Sequence, residues 1–308
     1  MIRLDGEVGS MFIDCHCHAY RILPPVYSFS TPEQVIERFD AEGIERGALL
    51  PIVSPEIYLP QANEDILEMV EQYPDRFFAF CNIDPRAITN SPEAPLGDLL
   101  RHYKDQGCRG IGEVMPNMPL WDPKVQNLLR HAEEVGLPVT TDGSDVVTGD
   151  FGLYDDPGLP QLEHTLQRFP NLVMLGHGPV FWSEIARLET PGERSYVFGP
   201  GGGQVGRLAS GPVKEEGVIP KLLRLYPNLY GDLADSTAHN ALARDPEYGP
   251  KFLTEFQDRM LFGTDLCYPD MRVDLVGLLI DWRETGKISE AVFQKVAREN
   301  AVRLFGLE

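Results

Sequence analysis

Short apolar runs alternate with amphipathic stretches at helical spacing from Met11 to Phe305. The apolar runs are 11–18, 47–53, 76–83, 110–114, 137–141, 172–175, 228–233 and 259–262. Between them, 33–42, 62–73, 96–106, 122–135, 159–169, 182–188, 218–226 and 246–257 read as helices, and 273–283 and 289–305 close the chain as two more. In 122–135, Asp122 can cap the helix, Pro123 fits its first turn and Gly136 follows its end. Strands separated by helices pair in parallel, because only a long crossover returns the chain to the same direction. Eight such units that close on themselves make a (β/α)8 barrel, the TIM barrel. The span from His16 to Asp265 agrees with the roughly 250 residues usual for that fold. An open doubly wound sheet is the competing architecture, and the missing dinucleotide fingerprint disfavours it.

The expected organisation is a single α/β domain over 1–308, with an N-terminal extension over 1–10. One segment breaks the rhythm. Residues 190–212 are glycine-rich and lack periodicity, which predicts an insertion before the seventh strand, either a surface excursion or a lid over the barrel mouth.

Composition narrows the partners. The 27 basic and 47 acidic residues give a net charge of −20. That charge opposes nucleic acid and anionic membrane surfaces, leaving a small molecule as the expected substrate. No run approaches the roughly 18 apolar residues of a membrane span. Five cysteines without a small-scaffold spacing point to reduced thiols and a cytoplasmic setting, and the N-terminus lacks the pattern of a signal peptide. A homodimer is the fold-level expectation for assembly.

Barrel chemistry gathers at the C-terminal ends of the strands. The first strand ends in His16-Cys17-His18, whose two histidines share a face and form a ready divalent-metal pair. Cys15 and Cys17 resemble zinc ligands, but alternation places them on the opposite face as packing residues. Glu113 ends the fourth strand and is either a metal ligand or the partner of an arginine such as Arg109. Asp142 ends the fifth, as a ligand, an orienter of a histidine or a turn former before Gly143. His177 lies between two glycines after the sixth, and Asp265 closes the eighth through Gly263-Thr264. His102, His131 and His164 fall within helices and read as surface or packing residues. His239, after the seventh strand, is near enough to the mouth for a minor substrate role. Trp121, Tyr154, Phe181, Trp182 and Tyr268 near strand ends hint at a flat or aromatic substrate, with Trp182 and Tyr268 the expected substrate contacts.

These residues carry a resemblance. Phe12-Ile13-Asp14-Cys15-His16-Cys17-His18, Leu175-Gly176-His177-Gly178, Asn228-Leu229-Tyr230-Gly231-Asp232-Leu233 and Leu261-Phe262-Gly263-Thr264-Asp265 resemble the amidohydrolase superfamily. More narrowly, they resemble the amidohydrolase-related branch that includes aminocarboxymuconate-semialdehyde decarboxylase and several lactonases. The resemblance implies one divalent ion, Zn²⁺ before Mn²⁺, held by His16 and His18. It implies that Asp265 contacts the metal and handles the proton of the attacking water. His177 matches a histidine that is a ligand in some members and a general acid or base in others. One departure stands out: many relatives carry a histidine where this chain has Asp142. Either Asp142 replaces it as an oxygen ligand, or Glu113 completes the site, or the metal is weakly held or absent, as in some lactonases.

The expected activity is metal-dependent hydrolysis of an ester, lactone or amide, with Asp265 and His177 as the catalytic pair. The competing reading is metal-dependent non-oxidative decarboxylation of an aromatic or unsaturated carboxylic acid, which needs a cation for the departing carboxylate. Arg21, just beyond His18, is the candidate. A barrel that binds metal or ligand with degraded catalysis is the third reading. A metal-dependent nuclease is the least favoured, because a phosphodiester backbone would meet a strongly acidic protein.

Overall fold

A computed structural model describes residues 11–23, 28–57, 61–194, 196–198, 204–206 and 208–308. Among the described residues, eight barrel strands alternate with helices: β1 (Phe12–Cys17), β2 (Ile44–Leu49), β3 (Phe77–Ala79), β4 (Ile111–Val114), β5 (Val139–Ser144), β6 (Met174–His177), β7 (Leu229–Asp232) and β8 (Met260–Leu261). Neighbouring barrel strands run parallel in chain order. Two seams complete the ring. Gly112 N donates to the Cys81 carbonyl at 2.9 Å and joins β3 to β4, and Cys15 N donates to the Phe262 carbonyl at 2.9 Å and joins β8 to β1. The chain therefore folds as the closed (β/α)8 barrel that its rhythm predicts.

The ring is filled from within. Ile13, Cys15, Ala48, Leu50, Phe78, Phe80, Leu175 and Leu261 form one buried cluster with Ala301, Phe305 and Leu307 of the C-terminal segment. That segment stoppers the N-terminal end of the strands, where Arg46 at the start of β2 bonds the Glu308 carbonyl. A second, larger apolar cluster lies between strands and helices and includes Phe12, Phe39, Leu128, Met174 and Phe293. Alternation along each strand feeds these two layers, which leaves the C-terminal ends free for polar side chains.

Local signals set the helices. Thr31 and Gln34 form a capping box before Pro32–Glu42. Asp122 accepts from Lys124 N at 2.8 Å, Pro123 occupies the first turn of Pro123–Val135, and Gly136 ends it with φ 72°. Other elements depart from the sequence reading. The helix after β6 is Gly178–Ser183, earlier and shorter than expected, and it begins directly after β6, which runs on through His177. A helix at Asp235–Ala243 follows β7 and carries His239. The last helical stretch is broken by a π-helical turn at Lys295–Glu299.

Residues 1–10, expected as an extension, and 199–203, at the centre of the expected insertion, lie outside the described residues. The described flanks of the insertion contain a 3-10 turn at Pro191–Arg194 and an antiparallel pair, Tyr196–Phe198 with Gln204–Gly206. Among the described residues no helix is long and apolar enough to cross a membrane.

Candidate metal centre

His16 and His18 come from the end of β1 and are buried, with 0% and 1% exposure. Each ring has one nitrogen committed to a partner. His16 Nδ1 donates to Asp232 Oδ2 at 2.6 Å, and His18 Nδ1 donates to the Leu50 carbonyl at 2.8 Å. Their Nε2 atoms are therefore the free acceptors, and they face each other at 3.1 Å. Two lone pairs so close in a buried place require a proton or a metal ion between them.

Two carboxylates complete the group. Asp265 Oδ1 lies 3.5 Å from His16 Nε2 and 3.2 Å from His18 Nε2. Glu113 Oε2 lies 3.5 and 3.7 Å from the same two nitrogens. Bonds of about 2.0–2.2 Å to a tetrahedral ion give donor–donor edges of about 3.3–3.6 Å. The observed separations of 3.1–3.7 Å are close to that set. The residues present thus fit a divalent ion. His177 adds a third imidazole, with Nε2 at 3.7 Å from Glu113 Oε1 and 4.0 Å from Asp265 Oδ2.

Electrostatics follow from this crowding. Burial disfavours the His16 imidazolium, but the Asp232 and Glu113 carboxylates outweigh it and hold its pKa well above the usual histidine value. Burial pushes Asp265 up, but the hydrogen bond from His18 and the fields of His16, His18 and His177 hold it well below the ordinary carboxylate range. Burial also opposes ionisation of Asp232, and His16 again reverses the balance. A bound ion would take the place of the proton shared in this cluster.

The surrounding backbone is built to hold these donors. Asp14 accepts from His16 N and Thr264 N, both at 2.9 Å, and from the Thr264 hydroxyl at 2.6 Å. Asp265 N donates to the His16 carbonyl at 2.8 Å, so β1 and β8 are tied beside their metal-facing residues. Burial lifts Asp14 to about 7 despite the opposing hydrogen bond from Thr264. Asp265 and Asp235 both adopt left-handed backbone, φ 53° and 68°, at the mouth ends of adjacent units. On β6 and at the first residue of the helix after it, close packing demands glycine. A Cβ on Gly176 would lie 2.2 Å from the Phe181 ring, and one on Gly178 would lie 1.9 Å from Asp142 Oδ1.

The remaining expected residues divide. Asp142 is buried and accepts from Gly143 N at 2.8 Å, but it joins neither of the ligand-competent groups, His16–His18–Asp265 and His16–Glu113–His177. Burial and the neighbouring Glu113 push its pKa well up. Trp182 requires correction as a substrate contact: it is 1% exposed, and its indole N–H donates to the Asp232 carbonyl at 2.9 Å. Phe181 is likewise core, whereas Trp121 is exposed. Arg21 turns outward to pair with Asp65 and Glu68. Tyr268 is half-buried and stacks on Phe29 with ring centroids 5.1 Å apart. His239 is half-buried on the helix after β7, where burial lowers its pKa.

Cys15 is a packing residue as expected, but it lies in the interior cluster rather than on the face away from the site. A register shift between Asp14 and Cys17 interrupts the alternation, and the Cys15 thiol turns inward to donate to Asp232 Oδ1 at 3.2 Å. Cys17 packs in the outer core as expected. Sequence reasoning missed the supporting roles of Asp14, Asp232 and Thr264. For Asp232 the signal was present, since Gly231-Asp232 closes an apolar strand much as Gly263-Thr264-Asp265 does.

A closed (β/α)8 barrel with histidines and carboxylates converging at its mouth defines the structural class. The chain belongs to the amidohydrolase family, whose model matches residues 13–307. No curated protein sequence matches it significantly. Among solved structures, it is similar to 5-carboxyvanillate decarboxylase from Novosphingobium aromaticivorans, a variant with bound manganese (16% identity, TM-score 0.62, 100% of both chains). It is also similar to a probable 2-pyrone-4,6-dicarboxylic acid hydrolase from Acinetobacter baumannii (15% identity, TM-score 0.58, 96% of this chain and 99% of that one). A third is 2,6-dihydroxybenzoate decarboxylase from Rhizobium (17% identity, TM-score 0.57, 97% of this chain and 99% of that one). At these identities the likeness concerns the fold.

Proposed function

We propose that this chain is a metal-dependent hydrolase of a small-molecule ester, lactone or amide. The observation that carries the reading is that His16 Nε2, His18 Nε2 and Asp265 Oδ1 lie 3.1–3.5 Å from one another, with Glu113 Oε2 at 3.5 and 3.7 Å from the two nitrogens. A divalent ion in that group supplies Lewis acidity toward a carbonyl and acidifies water near neutral pH. Zn²⁺ suits the imidazoles, while Glu113 and Asp265 add the oxygen donors that favour Mn²⁺.

The chain's own residues supply the rest. Asp265 stays ionised because three histidines surround it, so it can accept a proton from the attacking water. Its oxygens divide between the roles: Oδ1 faces His16 and His18, and Oδ2 faces His177. His177 presents Nε2 beside Glu113 and Asp265, where it would take up the proton that Asp265 has accepted from water and deliver it to the leaving group. Asp232 lies 3.6 Å from His177 Nδ1 and supports the charge that His177 carries between these transfers.

The second reading is decarboxylation, favoured by the similar structures of two decarboxylases. Metal analysis of the purified protein, with a screen of lactones, esters, amides and aromatic carboxylates, separates the two. Hydrolysis without carbon dioxide supports the proposal. Carbon dioxide release from an aromatic carboxylate, with no hydrolysis, overturns it.

A further inference from the structure

A second layer of side chains lies directly beyond the metal centre. Tyr20 stands two residues after His18, Met115 two after Glu113, Cys267 two after Asp265, and Ile52 two after Leu50, whose carbonyl holds His18 Nδ1. Tyr20, Ile52 and Met115 pack with Phe29 into one buried cluster, and the half-buried Phe151 and Cys267 pack against it. Backbone bonds fix the layer. Tyr20 N donates to the Ser30 carbonyl at 2.9 Å, Ser30 N to the Cys267 carbonyl at 2.8 Å, and Gly152 N to the Met115 carbonyl at 2.7 Å. The Cys267 thiol donates to Asp265 Oδ1 at 3.6 Å, so the layer touches the metal-facing group.

Tyr20 is 2% exposed, and its ring centroid lies 4.7 Å from that of Phe29. Among the described residues, its hydroxyl is buried without a hydrogen-bond partner. A buried tyrosine ordinarily finds a partner for this group. Left unpaired, the hydroxyl opposes folding, a cost that phenylalanine would avoid. The oxygen therefore adds nothing to the packing, and its place beyond the metal centre gives it a use toward a ligand.

We infer that Tyr20 is a substrate-binding residue whose hydroxyl donates a hydrogen bond to an ether or carbonyl oxygen on an otherwise apolar part of the substrate. The apolar neighbours select the body of that part, and the single donor selects its polar atom. The phenol is protonated at neutral pH and has its proton to give. The hydroxyl is covered in the structure, and the half-buried Phe151 and Cys267 are the members of the layer that a ligand displaces to meet it. The reaction at the metal rests on the proposed hydrolytic function, whereas this contact rests on the orphaned hydroxyl.

Tyr20→Phe removes the one oxygen and keeps the ring. With both proteins loaded with Zn²⁺, calorimetry compares 2-, 3- and 4-methoxybenzamide with the matching ethylbenzamides, in which a methylene replaces the ether oxygen. The parent should bind at least one methoxy compound about 10-fold more tightly than its ethyl isostere, the discrimination of one hydrogen bond otherwise left unmade. The variant should keep its metal and bind the two alike. In denaturant and without ligand, Tyr20→Phe should unfold at the same or a higher midpoint, because no internal hydrogen bond is lost. Equal binding of each methoxy and ethyl pair by the parent, or no binding of either, overturns the inference. So does a variant that retains the discrimination, or one with a lower midpoint, which assigns the hydroxyl to the fold. Hydrolysis of the corresponding phenyl esters without discrimination leaves the hydrolase reading standing and removes the role of Tyr20. Discrimination in calorimetry, with carbon dioxide release from an aromatic carboxylate and no hydrolysis, supports Tyr20 and removes the hydrolase reading.

Discussion

His16 and Asp232 form a fully buried imidazole–carboxylate pair, with Nδ1 donating to Oδ2 at 2.6 Å. Asp232 also accepts from the Cys15 thiol and from Ala234 N through its other oxygen. The carboxylate is thus fixed before it orients the ring. This fixes the tautomer that leaves His16 Nε2 as an acceptor toward the metal position.

Asp232→Asn keeps the shape but loses the charge and permits the wrong tautomer. Metal affinity should fall about 10- to 100-fold, as is usual when such an outer partner is removed. Competition with a chelator measures it, with circular dichroism to confirm the fold. Unchanged affinity would contradict the orienting role.

Thr264 joins β1 to β8 through its hydroxyl, which donates to Asp14 at 2.6 Å and accepts from Leu266 N at 3.0 Å. Thr264→Val strands both partners in the interior and should destabilise the metal-free protein by about 1–3 kcal/mol. Thr264→Ser restores the hydroxyl and should recover most of that loss. Denaturant unfolding of the three proteins decides it; a valine variant as stable as the parent would show that the hydroxyl's two bonds contribute nothing net.

Asp265→Asn keeps size but removes the basic oxygen. Once a substrate is known, kcat should fall at least about 10²-fold, the lower end for general base catalysis. His177→Asn should also lower kcat strongly. Retained metal in that variant identifies His177 as a proton-transfer group, and partial metal loss identifies it as a ligand. A fully active Asp265→Asn enzyme would falsify the proposed role of Asp265.

Arg194 and Glu184 form a buried ion pair, 1% and 4% exposed, at the start of the glycine-rich insertion. Arg194 also donates to the Asp155 carbonyl, and Glu184 accepts from Gly158 N at 2.8 Å. Arg194→Leu leaves Glu184 buried without its cation and should cost about 3–5 kcal/mol. Adding Glu184→Gln should restore part of the loss, because the stranded charge is removed. Thermal and chemical unfolding of both variants report it, and additive losses would exclude coupling between the pair.

The sequence by itself determined the barrel and the places where polar groups could gather. Its two periodicities, strand and helix, are local properties that survive without knowledge of the neighbours. They also located His16, His18, Glu113, His177 and Asp265 at strand ends, where the structure brings them together. Only the tertiary structure decided the partners of these residues. Asp232 reaches His16 across 216 positions of chain, and Thr264 reaches Asp14 across 250, so neither contact leaves a local pattern. Cys15 follows Ile13 into the ring interior, while the register shift between Asp14 and Cys17 sends Cys17 to the outer core, and helix packing buried Trp182 rather than offering it to a ligand. Arg21 is adjacent to the metal-binding run in sequence, yet Asp65 and Glu68 of the helix Asn63–Gln72, which follows β2, draw it away. Strand position follows from local pattern, but the direction and charge environment of a side chain depend on whatever the closed ring packs against it.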